Sequence, residues 1–158
     1  MSGLEDLYRE IILDHYRNPR NRGELEVPPA VRAEGFNPLC GDEVIVYISI
    51  DDNGSITEVT TGGQGCSISQ SSASMMSAAI KGRKIGEIRD LVRAFKSMMS
   101  IHETELGSEP EEPVDEPGSE VALGDLEALR GVVKFPVRIK CATLCWNTLV
   151  QALDEAAA

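Results

Sequence analysis

Aromatic residues and long apolar runs are scarce in this chain of 158 residues. One Trp, three Tyr and three Phe leave the packing of a core mainly to aliphatic side chains. No apolar run approaches the length of a membrane span, and residues 1–6 lack the basic start and the continuous apolar stretch of a signal peptide. We therefore expect a cytoplasmic protein without a membrane partner.

Cationic residues are also few, because 15 Lys and Arg stand against 26 Asp and Glu, for a net charge of −11. A chain of this charge is unsuited to nonspecific binding of nucleic acid. Eight of the acids lie within residues 103–120, together with three prolines and no Lys or Arg. We expect a single domain over residues 1–158 that contains a mobile, acidic, Pro-rich loop at about 103–120.

The four cysteines include no CxxC pair, so the clearest zinc-binding spacing is missing. In a reducing compartment the thiols stay free for metal binding or thiol chemistry. A cysteine hydrolase would need an imidazole base, yet His15 and His102 fall on predicted helices or their ends, where packed or surface roles are commoner. The glycines of residues 62–65 lack the Lys-Ser/Thr of a Walker loop, and we expect them to permit tight turning.

A predicted β-hairpin brings two of the cysteines together. Two apolar runs flank residues 51–54, Asp-Asp-Asn-Gly, which are a strong turn signal. If the two ends of this turn pair, Cys40 faces Gly65, and the thiols of Cys40 and Cys66 converge beside the carboxylate of Asp42. Directly opposed residues lie about 4.5–5.5 Å apart at Cα. That distance suits a shared metal ion.

Helical spacing and composition predict most of the other elements. We expect a short strand over residues 30–36 beside the two hairpin strands, and helices over 4–16, 67–80, 85–99, 123–129 and from about 135 to 153. No internal repeat is present. The chain is therefore predicted to be α+β, with a small antiparallel three-stranded sheet packed against several helices.

The last predicted helix holds the other two cysteines, Cys141 and Cys145, which share a face because they are four residues apart. Cys145 continues an apolar stripe, as a small core residue would, and it also competes as a metal ligand. We place Cys141 in the first turn of the helix, where unpaired N–H groups and the helix dipole favour a thiolate.

A metal centre built late in folding is the hypothesis that joins these features. Its candidate ligands are Cys40, Asp42, Cys66 and Cys141. Three thiolates and one carboxylate around a zinc ion leave a formal charge of about −2. Arg138 and Lys140 could offset that charge, or they could be ordinary solvated residues.

Four motifs occur in order along nearly the whole chain. They are Leu7-Tyr8 with Asp14-His15-Tyr16-Arg17-Asn18-Pro19-Arg20-Asn21, then Asn37-Pro38-Leu39-Cys40-Gly41-Asp42, Gly65-Cys66-Ser67-Ile68-Ser69, and Arg138-Ile139-Lys140-Cys141-Ala142-Thr143-Leu144 followed by Trp146. In this combination the chain resembles the iron-sulfur scaffold family of IscU, SufU and the N-terminal part of NifU. Lys140 replaces a histidine of the IscU branch, and residues 124–129 resemble an insertion of the SufU branch, so SufU is the closer match.

The resemblance implies an α+β fold whose three cysteines and one aspartate converge on zinc or on a transient iron-sulfur cluster. It also implies zinc-dependent acceptance of persulfide sulfur from a pyridoxal-phosphate cysteine desulfurase of the SufS kind, with downstream cluster-assembly proteins as further partners. We choose Cys40 as the persulfide acceptor because a loop position leaves it freer to move than a helix would. An iron-sulfur scaffold on the same cysteines and a structural zinc module are the alternatives.

Overall fold

The computed structural model describes residues 3–27, 29–38, 40–105 and 124–157. Its elements, in chain order, are α1 (Gly3–Arg17), β1 (Val31–Asn37), β2 (Asp42–Ile50), β3 (Ile56–Gln64), α2 (Ser67–Ile80), α3 (Ile85–Glu105), a 3-10 helix (Gly124–Lys134) and α4 (Pro136–Ala157). The strands form one antiparallel sheet in the order β1-β2-β3. The predicted α+β fold with a small three-stranded sheet is therefore confirmed.

The β2–β3 hairpin forms as predicted, but its register differs from the prediction by two residues. Glu43 pairs with Gln64, whereas the predicted register pairs it with Gly62. One residue of the shift arises in the turn, which closes between Asp51 and Ser55 because the Asp51 carboxylate accepts hydrogen bonds from the backbone there. The other arises from an irregularity of the ladder next to Ser49. A shift of two residues leaves each side chain on its predicted face.

Cys40 therefore does not lie opposite Gly65, as the simple register predicted. β2 begins two residues after Cys40, whose backbone N–H donates to the carbonyl of Asn37 in the turn between β1 and β2. The prediction of a tight turn at residues 62–65 is also wrong, because β3 continues through Gln64. Gly63 has a φ of +101°, and an added Cβ there would collide with the carbonyl of Glu43. Glycine at this position permits close pairing of two strands.

The helices agree with the predicted pattern more closely at their starts than at their ends. α2 has the predicted bounds, with Cys66 as its N-cap. α3 extends to Glu105, so the first residues of the predicted acidic loop are helical, and the rest of that loop lies outside the described residues. The predicted helix over 123–129 is a 3-10 helix that continues past Gly131, and α4 runs beyond Leu153 to Ala157.

The core lies between the sheet and the helices, where α4 packs on β1, β2 and α2. Trp146 of α4 is fully buried and stacks on Phe95 of α3, with 4.7 Å between ring centroids. Its indole N–H donates to the Ser72 hydroxyl at 3.3 Å. These two contacts hold α4 against α3 and α2. Among the described residues, no helix has the length and apolarity needed to cross a membrane.

Candidate metal centre

Three of the four predicted ligands meet where the β1–β2 turn faces α4. The ligand atoms of Cys40, Asp42 and Cys141 all lie within 4.8 Å of one another, and the two sulfur atoms are 3.3 Å apart. Cys40 lies in the turn, Asp42 is the first residue of β2, and Cys141 lies on α4. Residues separated by about a hundred positions are thus brought together by the packing of α4 on the sheet.

Cys66 borders this group, although its sulfur does not belong to the set of mutually close ligand atoms. Its backbone N–H donates to Asp42 Oδ1 at 2.9 Å, and its sulfur accepts a hydrogen bond from the backbone of Ser69 at 3.5 Å. The thiol also interacts with Asp42 and with Cys141. The structure therefore places all four predicted ligands at one site, with Cys66 at its edge.

Asp42 is buried, yet its surroundings keep it ionised. Burial raises the pKa of this carboxyl group, but the backbone N–H of Cys66, the thiols of Cys141 and Cys66, and the Ser69 hydroxyl together outweigh burial and hold the pKa below its usual value. Asn37 Nδ2 donates to the other oxygen of Asp42 at 3.4 Å. An ionised carboxylate is the form that binds a metal ion.

Cys141 does not have the lowered pKa that the sequence suggested. α4 begins at Pro136, a position at which proline is favoured, so Cys141 lies beyond the first turn and beyond the exposed N–H groups. Burial raises its pKa, and the neighbouring Asp42, Cys40 and Cys66 raise it further. The prediction of a dipole-stabilised thiolate is therefore wrong. A bound dication would supply the missing positive charge and favour the thiolate.

Of the two predicted supporting cations, the structure places Arg138 beside the sulfur atoms. Interaction with Cys141, and then with the charges of Cys66 and Cys40, raises the pKa of this guanidinium. Lys140 is exposed, and no contact within the described part of the chain joins its side chain to the thiols. Arg138, one helical turn before Cys141, thus supplies the positive charge beside the thiols.

Cys145 lies in the core, where its sulfur is 3.4 Å from the Ser72 hydroxyl. Burial raises the pKa of this thiol to about 12. It does not belong to the group of close ligand atoms. His15 is also packed, with Nδ1 2.8 Å from the Ser74 hydroxyl. The His102 side chain lies outside the described residues.

Three supporting residues were not identified as functional from their sequence positions. Asn37 contacts Asp42 and lies 3.7 Å from the sulfur of Cys141, and Ser69 contacts both Asp42 and Cys66. At Gly65, an added Cβ would lie 2.5 Å from Asp42 Oδ1. Each of them lies within one of the sequence motifs that contain Cys40 or Cys66. That position in the motif is the only feature of the sequence that points to a supporting role.

The donor set suits a small tetrahedral ion. Thiolates together with a carboxylate are ligands that zinc accepts, and two sulfurs on one zinc ion lie about 3.8 Å apart when each bond is about 2.3 Å long. The 3.3 Å between the Cys40 and Cys141 sulfurs is close to that separation. Both the geometry and the chemistry of the residues therefore fit zinc.

Comparisons with known proteins identify the family of this chain. The family of the NifU-like N terminal domain matches residues 7–142. The zinc-dependent sulfurtransferase SufU of Bacillus subtilis (strain 168) is 44% identical, over 98% of this chain and 94% of that protein. The iron-sulfur cluster assembly scaffold protein IscU of Streptococcus pyogenes serotype M1 is 35% identical, over 99% of this chain and 89% of that protein.

The fold also matches a solved structure of the same kind. A candidate iron-sulfur cluster assembly scaffold protein for the SUF system, from Fervidobacterium islandicum AW-1, superimposes with a TM-score of 0.72 at 33% identity. The match covers 96% of this chain and 99% of that one. The chain therefore belongs to the family of NifU-like N-terminal domains, together with the SufU and IscU proteins of iron-sulfur cluster assembly.

Proposed function

We propose that this chain acts in iron-sulfur cluster assembly as a zinc-dependent acceptor of persulfide sulfur from a pyridoxal-phosphate cysteine desulfurase. Zinc would be held by Cys40, Asp42, Cys66 and Cys141. The observation that carries the proposal is the meeting of two sulfurs and one ionised carboxylate within 4.8 Å. Similarity to a relative named as a zinc-dependent sulfurtransferase supports it.

The four residues lie in different structural settings, and we assign their roles from these settings. Asp42 is fixed by hydrogen bonds from Cys66 and Asn37. Cys66 caps one helix and Cys141 is buried in another, so both are suited to keep hold of an ion. Cys40 is partly exposed, as Cys66 is, but it alone of the three cysteines lies in a turn and neither caps a helix nor lies within one. We therefore assign Cys40 as the residue that accepts sulfur.

The transfer itself needs no outside oxidant. The thiolate of Cys40 attacks the terminal sulfur of the desulfurase persulfide, a new S–S bond forms on Cys40, and the donor's S–S bond breaks. The donor cysteine leaves as a thiolate, so the oxidised sulfur passes from one protein to the other. When bound, zinc supplies the positive charge that keeps the site's thiols deprotonated at neutral pH. Attack requires a Cys40 thiolate that is free of coordination.

The proposal is tested by desulfurase turnover, measured as alanine released from cysteine, with zinc-loaded wild type, Cys40→Ala and Cys145→Ala. Cys145→Ala is the matched control, because it removes a thiol that lies in the core. We expect wild type and the control to stimulate turnover and Cys40→Ala to lose the stimulation. Equal stimulation by Cys40→Ala would overturn the assignment. Zinc binding without any stimulation by wild type would indicate a structural zinc module.

An iron-sulfur scaffold on the same ligands is the second candidate, favoured by 35% identity to the streptococcal IscU scaffold protein. The test is anaerobic incubation of the metal-free chain with ferrous iron and sulfide, followed by visible absorption and by transfer to an apo-ferredoxin. A stable, transferable chromophore that is lost in Cys141→Ala would support the scaffold role. Absence of the chromophore in wild type would contradict it.

A further inference from the structure

An apolar groove adjoins the metal centre. It opens between α1, the start of α2, the 3-10 helix and the start of α4, and it encloses about 470 Å³, a size typical of sites that enclose ligands. Its apolar walls are formed by Tyr8, Ile12, Leu13, Ile68, Val132 and Phe135. Phe135 remains 61% exposed, which is unusual for an aromatic side chain that could be packed.

The groove is continuous with the surroundings of the thiols. Ser67, on its wall, directly follows Cys66, and Arg138, also on its wall, interacts with Cys141. Val137, which precedes Arg138 in the chain, is 56% exposed. A protein that reaches the sulfur atoms from this side must therefore cover the groove as well.

The charge at the groove is positive although the chain as a whole carries −11. Arg9 and Arg138 both line it, and among the side chains that the structure describes no carboxylate forms an ion pair with either. Five other arginines in the described part of the chain do have such a carboxylate partner. Two guanidinium groups beside apolar walls are complementary to carboxylates that flank apolar side chains.

We propose that this groove docks an acidic, amphipathic segment of the cysteine desulfurase that delivers sulfur to Cys40. This inference rests on the proposed function. The apolar side chains of the segment fill the space around Phe135, and its carboxylates pair with Arg9 and Arg138. Docking there brings the donor to the side of the site on which Cys66 and Arg138 lie and holds it while the persulfide reaches Cys40.

The test uses Arg9→Glu and Phe135→Ser, two residues whose described contacts do not include the thiols. Lys81→Glu is the matched charge-reversal control. It lies past the far end of α2, a helix of 14 residues, and therefore about 20 Å from the groove. Each zinc-loaded protein is titrated with the intact desulfurase, first for binding by biolayer interferometry and then for alanine release. Far-ultraviolet circular dichroism verifies that each variant is folded.

We expect Arg9→Glu and Phe135→Ser each to weaken binding about tenfold or more, as loss of a buried anchor does at protein interfaces. The desulfurase concentration at half-maximal turnover should rise in parallel, while Lys81→Glu matches wild type. Unchanged binding by both groove variants, or equal weakening by Lys81→Glu, would overturn the inference. If wild type binds the desulfurase but accepts no sulfur, the proposed function fails, and the affinities of the groove variants still decide whether the groove is the docking site.

Discussion

Gly65 offers the sharpest test of how the site is supported. It directly precedes Cys66, and an added Cβ would lie 2.5 Å from Asp42 Oδ1 and 2.6 Å from the Ser69 hydroxyl oxygen. Both distances are shorter than any stable contact of a methyl group. The φ of Gly65 lies outside the left-handed region, so its backbone accepts alanine and the collision alone is tested. Gly65→Ala must therefore displace Asp42 or Ser69.

The size of the effect follows from the hydrogen bond that the collision disturbs. The Cys66 N–H donates to the Asp42 carboxylate at 2.9 Å, and a hydrogen bond to a charged group contributes about 1.5–3 kcal/mol. Since about 1.4 kcal/mol corresponds to a tenfold change in an equilibrium constant, we expect zinc affinity to fall by about 10- to 150-fold. Residues that orient a ligand typically have effects of this size.

The measurement is competition for zinc between each protein and a chromogenic chelator. Gly62→Ala is the control, because an added Cβ there meets only Ile45 Cβ, at 3.9 Å. We expect the control to bind zinc as wild type does. Wild-type affinity in Gly65→Ala, or an equal loss in Gly62→Ala, would show that the close approach of Gly65 to Asp42 does not support zinc binding.

Three further predictions concern stability, measured by urea unfolding of the metal-free protein. Burial raises the pKa of Cys145 from 9.0 to about 12, so the stability that its neutral thiol contributes is complete below pH 9 and is lost between pH 9 and 12. By about pH 10.5 the free energy of unfolding of wild type should fall by about 2 kcal/mol more than that of Cys145→Ala. Equal losses in the two proteins would contradict this prediction. Ser72→Ala leaves the buried indole N–H of Trp146 without its acceptor and should lower the free energy of unfolding by about 1–3 kcal/mol. An unchanged urea midpoint would contradict this prediction. Gly35→Ala places a Cβ against the Thr148 hydroxyl and should lower the free energy of unfolding by about 1–3 kcal/mol through overpacking. Full wild-type stability of this variant would argue against that contact.

Local signals were sufficient where one residue fixes an element. α2 begins after Cys66 and ends at Ile80 as predicted, because a capping residue and a following glycine, Gly82 with a φ of +83°, define its limits. The hairpin was predicted from its turn, but its register depended on the Asp51 carboxylate and on a ladder irregularity. Spacing alone contains no signal for an irregularity of this kind.

The sequence predicted which residues lie close together at the candidate site, but not their electrostatics. The sequence predicted a site of Cys40, Asp42, Cys66 and Cys141, and the structure brings ligand atoms of Cys40, Asp42 and Cys141 together, with Cys66 bound to Asp42 through its backbone. The protonation of Cys141 was wrong because it depends on burial and on three neighbours that only the tertiary fold supplies. The contact of Asn37 with Asp42 likewise depends on the pairing of β1 with β2. Sequence motifs therefore indicated the candidate ligands, and packing determines the protonation of their side chains.

The most direct test of the central claim is mass spectrometry under non-denaturing, anaerobic conditions after one turnover of desulfurase with cysteine, on zinc-loaded wild type, Cys40→Ala and Cys145→Ala. Peptide mapping of the same samples locates the added sulfur. We expect one zinc and one added sulfur on wild type and on Cys145→Ala, with the sulfur on Cys40, and zinc without added sulfur on Cys40→Ala. Added sulfur on Cys40→Ala, or on a cysteine other than Cys40 in wild type, would contradict the central claim.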